Sequence, residues 1–255
     1  MASASFQKWC GNGILPVSAV DEMISCLLLI FGLALTAPLL HRAFGRITHW
    51  ALGAATAGVT AWLALQLSAA RDGLVLRSSF PWIASLEINF SLMADGLGLL
   101  FALIICGIGT LIVIYAGGYL AAHPLLGRFY AYILLFMGSM LGVVLADNVI
   151  LLFVFWELTS ISSYLLIGFD HERPAARAAA LQALVVTGLG GLALLAGLLL
   201  MGIAGGSYEL SELLAREGEA GALLSPAGDS LAPTIRSHAL YVPILILVLL
   251  GAATK

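Results

Sequence analysis

Glu157 is the residue whose type and position most strongly indicate chemistry in this chain. It lies inside the apolar run 149–169, about 12 Å from one end and about 18 Å from the other if that run is helical. These distances place its carboxyl near the centre of a hydrocarbon core about 30 Å thick, where an ionisable group costs at least a few kcal/mol. Such groups commonly belong to ion or proton paths, so we expect Glu157 to serve transport.

Hydroxyl side chains follow Glu157 along the same predicted helix. Ser160 lies three positions later and Tyr164 seven, roughly on the face of Glu157, with Thr159 and Ser163 beside them. Hydroxyls both donate and accept hydrogen bonds, so this set predicts the lining of a water-filled path. The structural alternative is a neutral glutamic acid held by hydrogen bonds inside the bundle.

Lys255 is the second charge in an apolar context, at the end of the run 240–255. A helix interrupted near Gly251 would hold its ammonium at mid-membrane, as the broken helices of transporters do. Snorkelling of the lysine to the cytoplasmic interface is the alternative. Because a bare chain end there would leave two charges inside the bilayer, we expect the reading frame to continue past Lys255.

Composition indicates a polytopic membrane protein. Of the 255 residues, 61% are hydrophobic and 10% are charged, against about 25% charged residues in soluble domains. The mean hydropathy is +1.05. A net charge of −3 without a basic patch excludes a nucleic-acid partner. Cys10, Cys26 and Cys106 are widely spaced, so we predict no disulfide, no metal site and no haem or other cofactor.

Seven apolar segments approach the roughly 17 to 25 residues that a spanning helix needs. They are Ile24–Leu40, Trp50–Leu67, Gly96–Leu120, Phe129–Ala146, Val149–Phe169, Ala178–Ala204 and Leu240–Lys255. The alternation typical of membrane barrel strands is absent from them. The predicted fold is therefore an all-α bundle of transmembrane helices over 21–255, after a polar lead-in over 1–20 to which we assign no role.

Polar residues at the ends of these segments have structural interpretations. Asp95, which follows the alternating run 86–93, is predicted to cap the next helix, and Asp147-Asn148 to form the turn of a helical hairpin. The stretch 207–216 is typical of a capped amphipathic turn outside the bilayer. The charge cluster around His171 is by default a solvated turn, with a proton antenna as the alternative.

Loop charges predict the orientation. If the helices alternate, the short loops 41–49, 121–128 and 170–177 share one side and hold five arginines. The other side also holds five basic residues, but in longer segments, and short loops determine topology more reliably. We therefore expect a multi-pass protein of the plasma or inner membrane, surrounded by lipid, with the short loops in the cytoplasm and the N-terminus outside.

Three runs of sequence are distinctive. Residues 82–103 begin Trp-Ile-Ala-Ser-Leu-Glu, residues 127–148 begin Gly-Arg-Phe-Tyr-Ala-Tyr, and residues 155–169 begin Phe-Trp-Glu-Leu-Thr-Ser. Together they closely resemble the large A subunit of Mrp-type multisubunit sodium/proton antiporters, which is related to the antiporter-like membrane subunits of respiratory complex I. The resemblance extends from about residue 27 to residue 255. It implies the N-terminal half of an antiporter-like inverted-repeat fold.

The resemblance also implies roles for the two intramembrane charges. Glu157 matches the glutamate of the family's fifth membrane helix, and 251–255 matches the start of its broken seventh helix, which carries the lysine. The mechanism implied is ion-pair gating, in which the ammonium stabilises the carboxylate when the two are paired, and the carboxylate takes up a proton when they separate. Site residues are thus Glu157 and Lys255 for proton translocation.

The function implied is that of a membrane subunit of a monovalent cation/proton antiporter, a secondary transporter and not an enzyme. Its ions would be protons and Na+, with K+ or Li+ as further candidates, and its partners the other subunits of the complex. One alternative is a proton-pumping antiporter-like subunit of NADH dehydrogenase (complex I) or of a related hydrogenase. Another, of a different class, is a truncated or structural membrane subunit. Because the later lysines and histidines of the family's proton path are absent from the sequence, we expect these 255 residues alone not to transport.

Overall fold

The computed structural model of the chain describes residues 17–83, 88–222, 235 and 238–255. The elements are α1 (Val17–Phe44), α2 (Thr48–Leu65), α3 (Leu67–Arg71), β1 (Leu76–Ile83), β2 (Ile88–Ala94), α4 (Gly96–Tyr119), α5 (Leu126–Leu145), α6 (Val149–Ile167), α7 (Pro174–Gly205), α8 (Leu210–Ala222) and α9 (Tyr241–Ala253). The predicted all-α transmembrane bundle is confirmed, and a helix lies over each of the seven apolar segments.

Five helical stretches in the described part are long and apolar enough to cross a membrane. They are 22–65, α4, α5, α6 and α7, whereas α9 is a shorter apolar helix of 13 residues. The sequence predicted two spans where this one stretch, 22–65, is found. Trp62 Nε1 donates a hydrogen bond to Glu22 Oε2 at 2.7 Å, so these two residues lie side by side. A straight helix would separate these residues by about 60 Å. The chain therefore reverses at the 3-10 turn Gly45–Ile47, where Gly45 has φ 55°, and α1 and α2 run antiparallel.

The bundle is built around α5, which packs against α1, α4 and α6. Its Tyr130, Leu134, Leu141 and Leu145 are among the largest fully buried side chains of the described residues. Outside this centre, α2 packs against α4, and α7 packs against both α6 and α9. The outer faces of α4 and α7 expose large apolar side chains, as lipid-facing surfaces do.

A two-stranded hairpin, which the sequence analysis did not predict, closes one end of the bundle. Strands β1 and β2 pair antiparallel, with Phe80 opposite Phe90 and their rings stacked at 4.9 Å. The alternating run 86–93 supplies most of β2, whose Leu92 also bridges to Ala146 after α5. Asp95 then caps α4, accepting a hydrogen bond from Gly98 N at 2.7 Å, as predicted.

Other boundaries differ from the predicted ones by a few residues. Helix α1 begins at Val17, inside the predicted lead-in, of which 1–16 lie outside the described residues. The predicted amphipathic turn within 207–216 is the start of α8, which continues to Ala222. The predicted seventh segment corresponds to α9, and Lys255 lies just beyond its last helical residue.

Candidate functional site

Helix α6 carries Glu157, and Asn148 determines where this helix begins. The Asn148 side-chain oxygen accepts hydrogen bonds from Ile150 N at 2.9 Å and from Leu151 N at 3.3 Å, which is the geometry of an N-terminal cap. The predicted turn and cap at Asp147-Asn148 are thus confirmed. Glu157 follows as the ninth of the 19 residues of α6, close to the middle of the helix.

The start of α6 belongs to a partly buried cluster that we call the polar hub, formed by Asn89, Asp147, Asn148, Glu209 and Ser211. Glu209 Oε1 accepts from Asn148 Nδ2 at 3.0 Å and from Asn89 Nδ2 at 3.4 Å. The Asp147 carboxylate accepts from Ser211 N at 2.9 Å and from Ser211 Oγ at 2.7 Å. The hub therefore ties together β2, the turn between α5 and α6, and the start of α8.

The Glu157 side chain lies between α6 and α7. Its Oε1 is buried and has no hydrogen-bond donor among the residues that the structure describes. It rests against the backbone of α7 at Gly191, where an added Cβ would overlap Oε1. A carboxyl oxygen in this position is held by packing alone.

Lys255 reaches the same part of α6 from the end of α9. Its Nζ donates to the carbonyl oxygen of Trp156 at 3.1 Å and to Ser160 Oγ at 2.6 Å, and it lies 5.1 Å from the centre of the Trp156 ring. The ammonium and the Glu157 carboxylate are more than 4.0 Å apart, so the ion pair implied by the resemblance is not formed in this structure.

The packing of α9 along α7 brings Lys255 to this position. The two helices run antiparallel, and three contacts give their register: Gly190 with Thr254, Leu194 with Gly251, and Gly197 with Val248. A Cβ on Gly251 would lie 2.8 Å from the Leu194 backbone, and one on Gly190 would overlap Thr254. Small residues at these crossings allow α9 to lie against the α7 backbone.

The predicted hydroxyl residues fall into two groups. Thr159 and Ser160 are buried, and Thr159 Oγ1 donates to the Trp156 carbonyl at 2.6 Å, so both share the α6 turn that binds Lys255. Ser163 and Tyr164 are half-buried farther along α6. His171 is exposed in the loop beyond α6, where its carbonyl accepts from Arg177 at 2.7 Å.

Sequence reasoning missed three residues that shape the site. Trp156 contributes a carbonyl and a ring to the Lys255 ammonium, while Gly190 and Gly191 receive Thr254 and Glu157 from two different helices. The available signal was the run Gly-Leu-Gly-Gly at 188–191 in the middle of a predicted span. Clustered glycines at that depth indicate close approach of neighbouring helices.

The far end of the bundle gathers the short loops. The His123 and Phe169 rings are 4.9 Å apart, and a Cβ on Gly127 would meet His41 at 3.1 Å. The loops near these residues therefore lie together, whereas the hairpin and the polar hub lie at the opposite end. This grouping is the one expected for helices that alternate in direction.

Comparison with known families gives two matches. Residues 146–255 match the family described as "NADH:quinone oxidoreductase/Mrp antiporter, TM". Residues 80–130 match the one described as "NADH-Ubiquinone oxidoreductase (complex I), chain 5 N-terminus". The first match includes Glu157, Lys255 and the α7 glycines between them.

Individual relatives agree with this assignment. The chain is 41% identical over 223 residues to the A1 subunit of the Na(+)/H(+) antiporter of Staphylococcus haemolyticus (strain JCSC1435), and 40% identical over 223 residues to that of Staphylococcus aureus. Each alignment covers 87% of this chain and 26% of the relative. The chain thus spans about a quarter of the length of the curated relatives it matches.

Solved structures extend the likeness to three dimensions. The chain superposes on the Mrp complex from Dietzia sp. DQ12-45-1b with a TM-score of 0.74 and 32% identity, covering 91% of this chain and 23% of that one. It shares its fold with a chain of the membrane-bound sulfane sulfur reductase, an archaeal respiratory membrane complex, at a TM-score of 0.65 and 18% identity, covering 89% and 33%. The resemblance stated from the sequence is confirmed: the chain is similar to the N-terminal portion of the large A subunit of Mrp-type Na+/H+ antiporters, and its residues 146–255 match the NADH:quinone oxidoreductase/Mrp antiporter family.

Proposed function

We propose that this chain acts within the large A-type membrane protein of a multisubunit Na+/H+ antiporter, and that protons cross the membrane by way of Glu157. The observation that carries the proposal is the buried Oε1 of Glu157 in the middle of α6, which has no hydrogen-bond donor among the described residues, with the Lys255 ammonium on the same helical turn. A carboxyl without a donor at that depth is held by no structural hydrogen bond. It is free to exchange a proton.

The two groups would act by pairing and separating. In the present arrangement the ammonium is held by Trp156 and Ser160 while the carboxyl rests on α7, which we take as the separated state. Burial of a carboxyl favours its neutral, protonated form. Movement of the ammonium to Glu157 would stabilise the carboxylate and release the proton.

We further propose that hydroxyl side chains line a water-filled path that leads to Glu157 and Lys255. Thr159 and Ser160 lie on the turn that holds the ammonium, and Ser163 and Tyr164 continue along α6 towards the short loops. His171 lies beyond that end of the helix, exposed to solvent, and is the proposed entry point to this path. The expected cation is Na+, with K+ or Li+ as alternatives.

Partners and location follow from the same relatives. The similar proteins are antiporter subunits, and one solved relative is an Mrp complex, which supports other subunits of such a complex as partners. The apolar outer faces of α4 and α7 support a multi-pass protein in contact with lipid in the plasma or inner membrane. We place the short loops in the cytoplasm and the hairpin end outside.

A proton-pumping subunit of complex I or a related hydrogenase is the second candidate, because the descriptions of both matched families include the NADH-quinone enzyme. Identity of 41% to an antiporter subunit favours the first candidate. Dependence on Na+ separates the two, since an antiporter moves protons in response to added Na+ and a quinone-driven pump does so in response to NADH.

The test is Glu157→Ala in the assembled complex, measured as Na+-dependent pH change in everted membrane vesicles. We expect exchange to be abolished while the amount of assembled complex stays normal, because alanine leaves an apolar helix intact. Glu157→Asp should retain part of the activity. Glu212→Ala, which alters an exposed carboxylate on α8, is the matched control and should exchange normally. Normal exchange by Glu157→Ala would leave the structural, non-transporting alternative.

Orientation is tested separately with single cysteines in a background lacking Cys10, Cys26 and Cys106. A cysteine at position 172, in the short loop after α6, should react with an impermeant thiol reagent only after the membrane is opened. A cysteine at position 212, on α8 at the hub end, should react in intact cells. The reverse pattern would overturn the proposed orientation.

A further inference from the structure

We infer that Gly191 is a positioning residue, which holds the Glu157 carboxyl in its separated state by providing a recess in the surface of α7. This inference rests on the proposed function, because it assigns to Gly191 control over how readily Glu157 pairs with Lys255. Gly191 acts through Glu157, whose carboxyl is the nearest group to it across the helix interface.

The geometry of the recess is specific to one side chain. A Cβ built on Gly191 would overlap Glu157 Oε1 and would lie 3.0 Å from its Cδ and 3.5 Å from Oε2, and these are the three nearest atoms. All of them belong to the carboxyl at the free end of a flexible side chain, which can move without disturbing either helix. A methyl group at position 191 would therefore displace the carboxyl and leave the backbones in place.

Neighbouring glycines on α7 provide the contrast. Gly188 faces open space, with no atom within 4 Å of an added Cβ, whereas Gly190 receives Thr254 from α9. The same glycine-to-alanine substitution on α7 therefore adds a methyl group that contacts no atom at position 188, Thr254 at position 190 and Glu157 at position 191. This separates an effect on the carboxyl from any general effect of alanine on the helix.

The displaced carboxyl has a defined alternative. Ser160 lies three positions after Glu157, so both side chains share a face of α6, and the Lys255 ammonium is bound at Ser160. Loss of the recess therefore shifts the equilibrium from the separated state towards the Glu157–Lys255 ion pair. A paired carboxylate takes up a proton only at lower pH, so the pH at half-maximal exchange should fall.

The experiment compares Gly191→Ala with Gly188→Ala in the assembled complex, by Na+-dependent exchange in everted vesicles across a range of pH. We expect Gly191→Ala to lower the maximal rate by roughly tenfold to a hundredfold, as misplacement of a reacting group by about 1 Å does, and to shift the pH profile to lower values. Gly188→Ala should stay within about twofold of the unsubstituted protein in rate and should keep its pH profile. Equal behaviour of the two variants would overturn the inference.

A double-mutant cycle with Glu157→Asp tests the contact itself. The shorter aspartate withdraws its carboxylate from α7, so adding Gly191→Ala to Glu157→Asp should cost little beyond Glu157→Asp alone. Additive losses would overturn the inference, since Gly191 would then act without touching the carboxyl. If Gly191→Ala reduces assembly, the same double variant should restore it, and failure to do so would also contradict us.

The outcome is distinguishable from failure of the proposed function. Normal exchange by Glu157→Ala removes the proposed function and this inference together. Loss of exchange in Glu157→Ala, combined with identical behaviour of Gly191→Ala and Gly188→Ala, removes this inference alone.

Discussion

Two polar clusters meet helix α6, one at its start and one at its middle, and they differ in how their hydrogen bonds are satisfied. At the polar hub, Asp147 and Asn148 are 5% and 0% exposed, and their side chains form hydrogen bonds to α6, to α8 and to Glu209 just before α8. In the middle, Glu157 Oε1 and Trp156 Nε1 are buried without partners in the described part of the chain. The same helix thus has a satisfied end and an unsatisfied centre.

This difference teaches how to separate structural from functional polar groups in a membrane bundle. A buried network with all partners present specifies a single arrangement and contributes to stability. A buried oxygen without a donor costs free energy in that state, and its retention calls for a second state, a proton or a water molecule. Substitutions at the hub should therefore lower stability, and substitutions around Glu157 should lower exchange.

The largest effect is expected where α9 crosses α7 on the way to the site. Gly251→Ala places a methyl group against the Leu194 backbone, which cannot yield as a side chain can. We expect a loss of about 3 kcal/mol and little assembled complex, measured by thermal denaturation in detergent. Gly58→Ala on α2, where an added Cβ meets nothing within 4 Å, is the control and should not destabilise. Equal melting of the two variants would show that the close crossing is unimportant.

Asn148→Ala should have the next largest effect. It removes the cap of α6 and leaves the Glu209 carboxylate without one of its donors, at an expected cost of about 2 kcal/mol. Asn148→Asp keeps the cap but repels Glu209, so it separates the two contributions. Both variants should melt earlier while exchange per assembled complex stays close to normal. Normal melting with abolished exchange would contradict the structural role assigned to the polar hub.

Ser160→Ala should have the smallest effect and should leave stability unchanged. It removes the hydroxyl that accepts from Lys255 Nζ at 2.6 Å but keeps the Trp156 carbonyl as a second acceptor. We expect exchange to fall about fivefold, corresponding to a hydrogen bond of about 1 kcal/mol. Ser162→Ala is the control, because that buried hydroxyl donates only to backbone carbonyls of α6. Equal exchange rates in the two variants would show that the Ser160 hydroxyl does not contribute to exchange.

Local signals in the sequence predicted the helices and singled out both charges of the candidate site. Hydropathy over about twenty residues is enough to locate a spanning helix, and a carboxyl or ammonium within such a run stands out wherever its partners lie. The polar hub could not be predicted in this way, because Asn148 and Glu209 are 61 positions apart and each suits an ordinary turn. The role of Gly191 was equally hidden, because a glycine shows no partner until the helices are packed together.

The hairpin illustrates a different limit. The run 86–93 alternates as a strand does, but a strand needs a partner, and β1 contains Pro81 and a register shift between Pro81 and Ile83. A pattern interrupted by proline argues against a strand when it is considered alone. Pairing with β2, and the bridge from Leu92 to Ala146, determine the outcome in the folded protein.

The antiparallel register of α7 and α9 has an electrical consequence. Gly190, which receives the end of α9, is the seventeenth of the 32 residues of α7, and Glu157 is the ninth of 19 in α6, so the carboxyl and the ammonium lie at half depth. Under the proposed function, a proton travelling from either face to Glu157 crosses about half of the transmembrane voltage, about 1 kcal/mol for every 100 mV. The transmembrane voltage therefore contributes about the same free energy to proton uptake by Glu157 as to proton release from it.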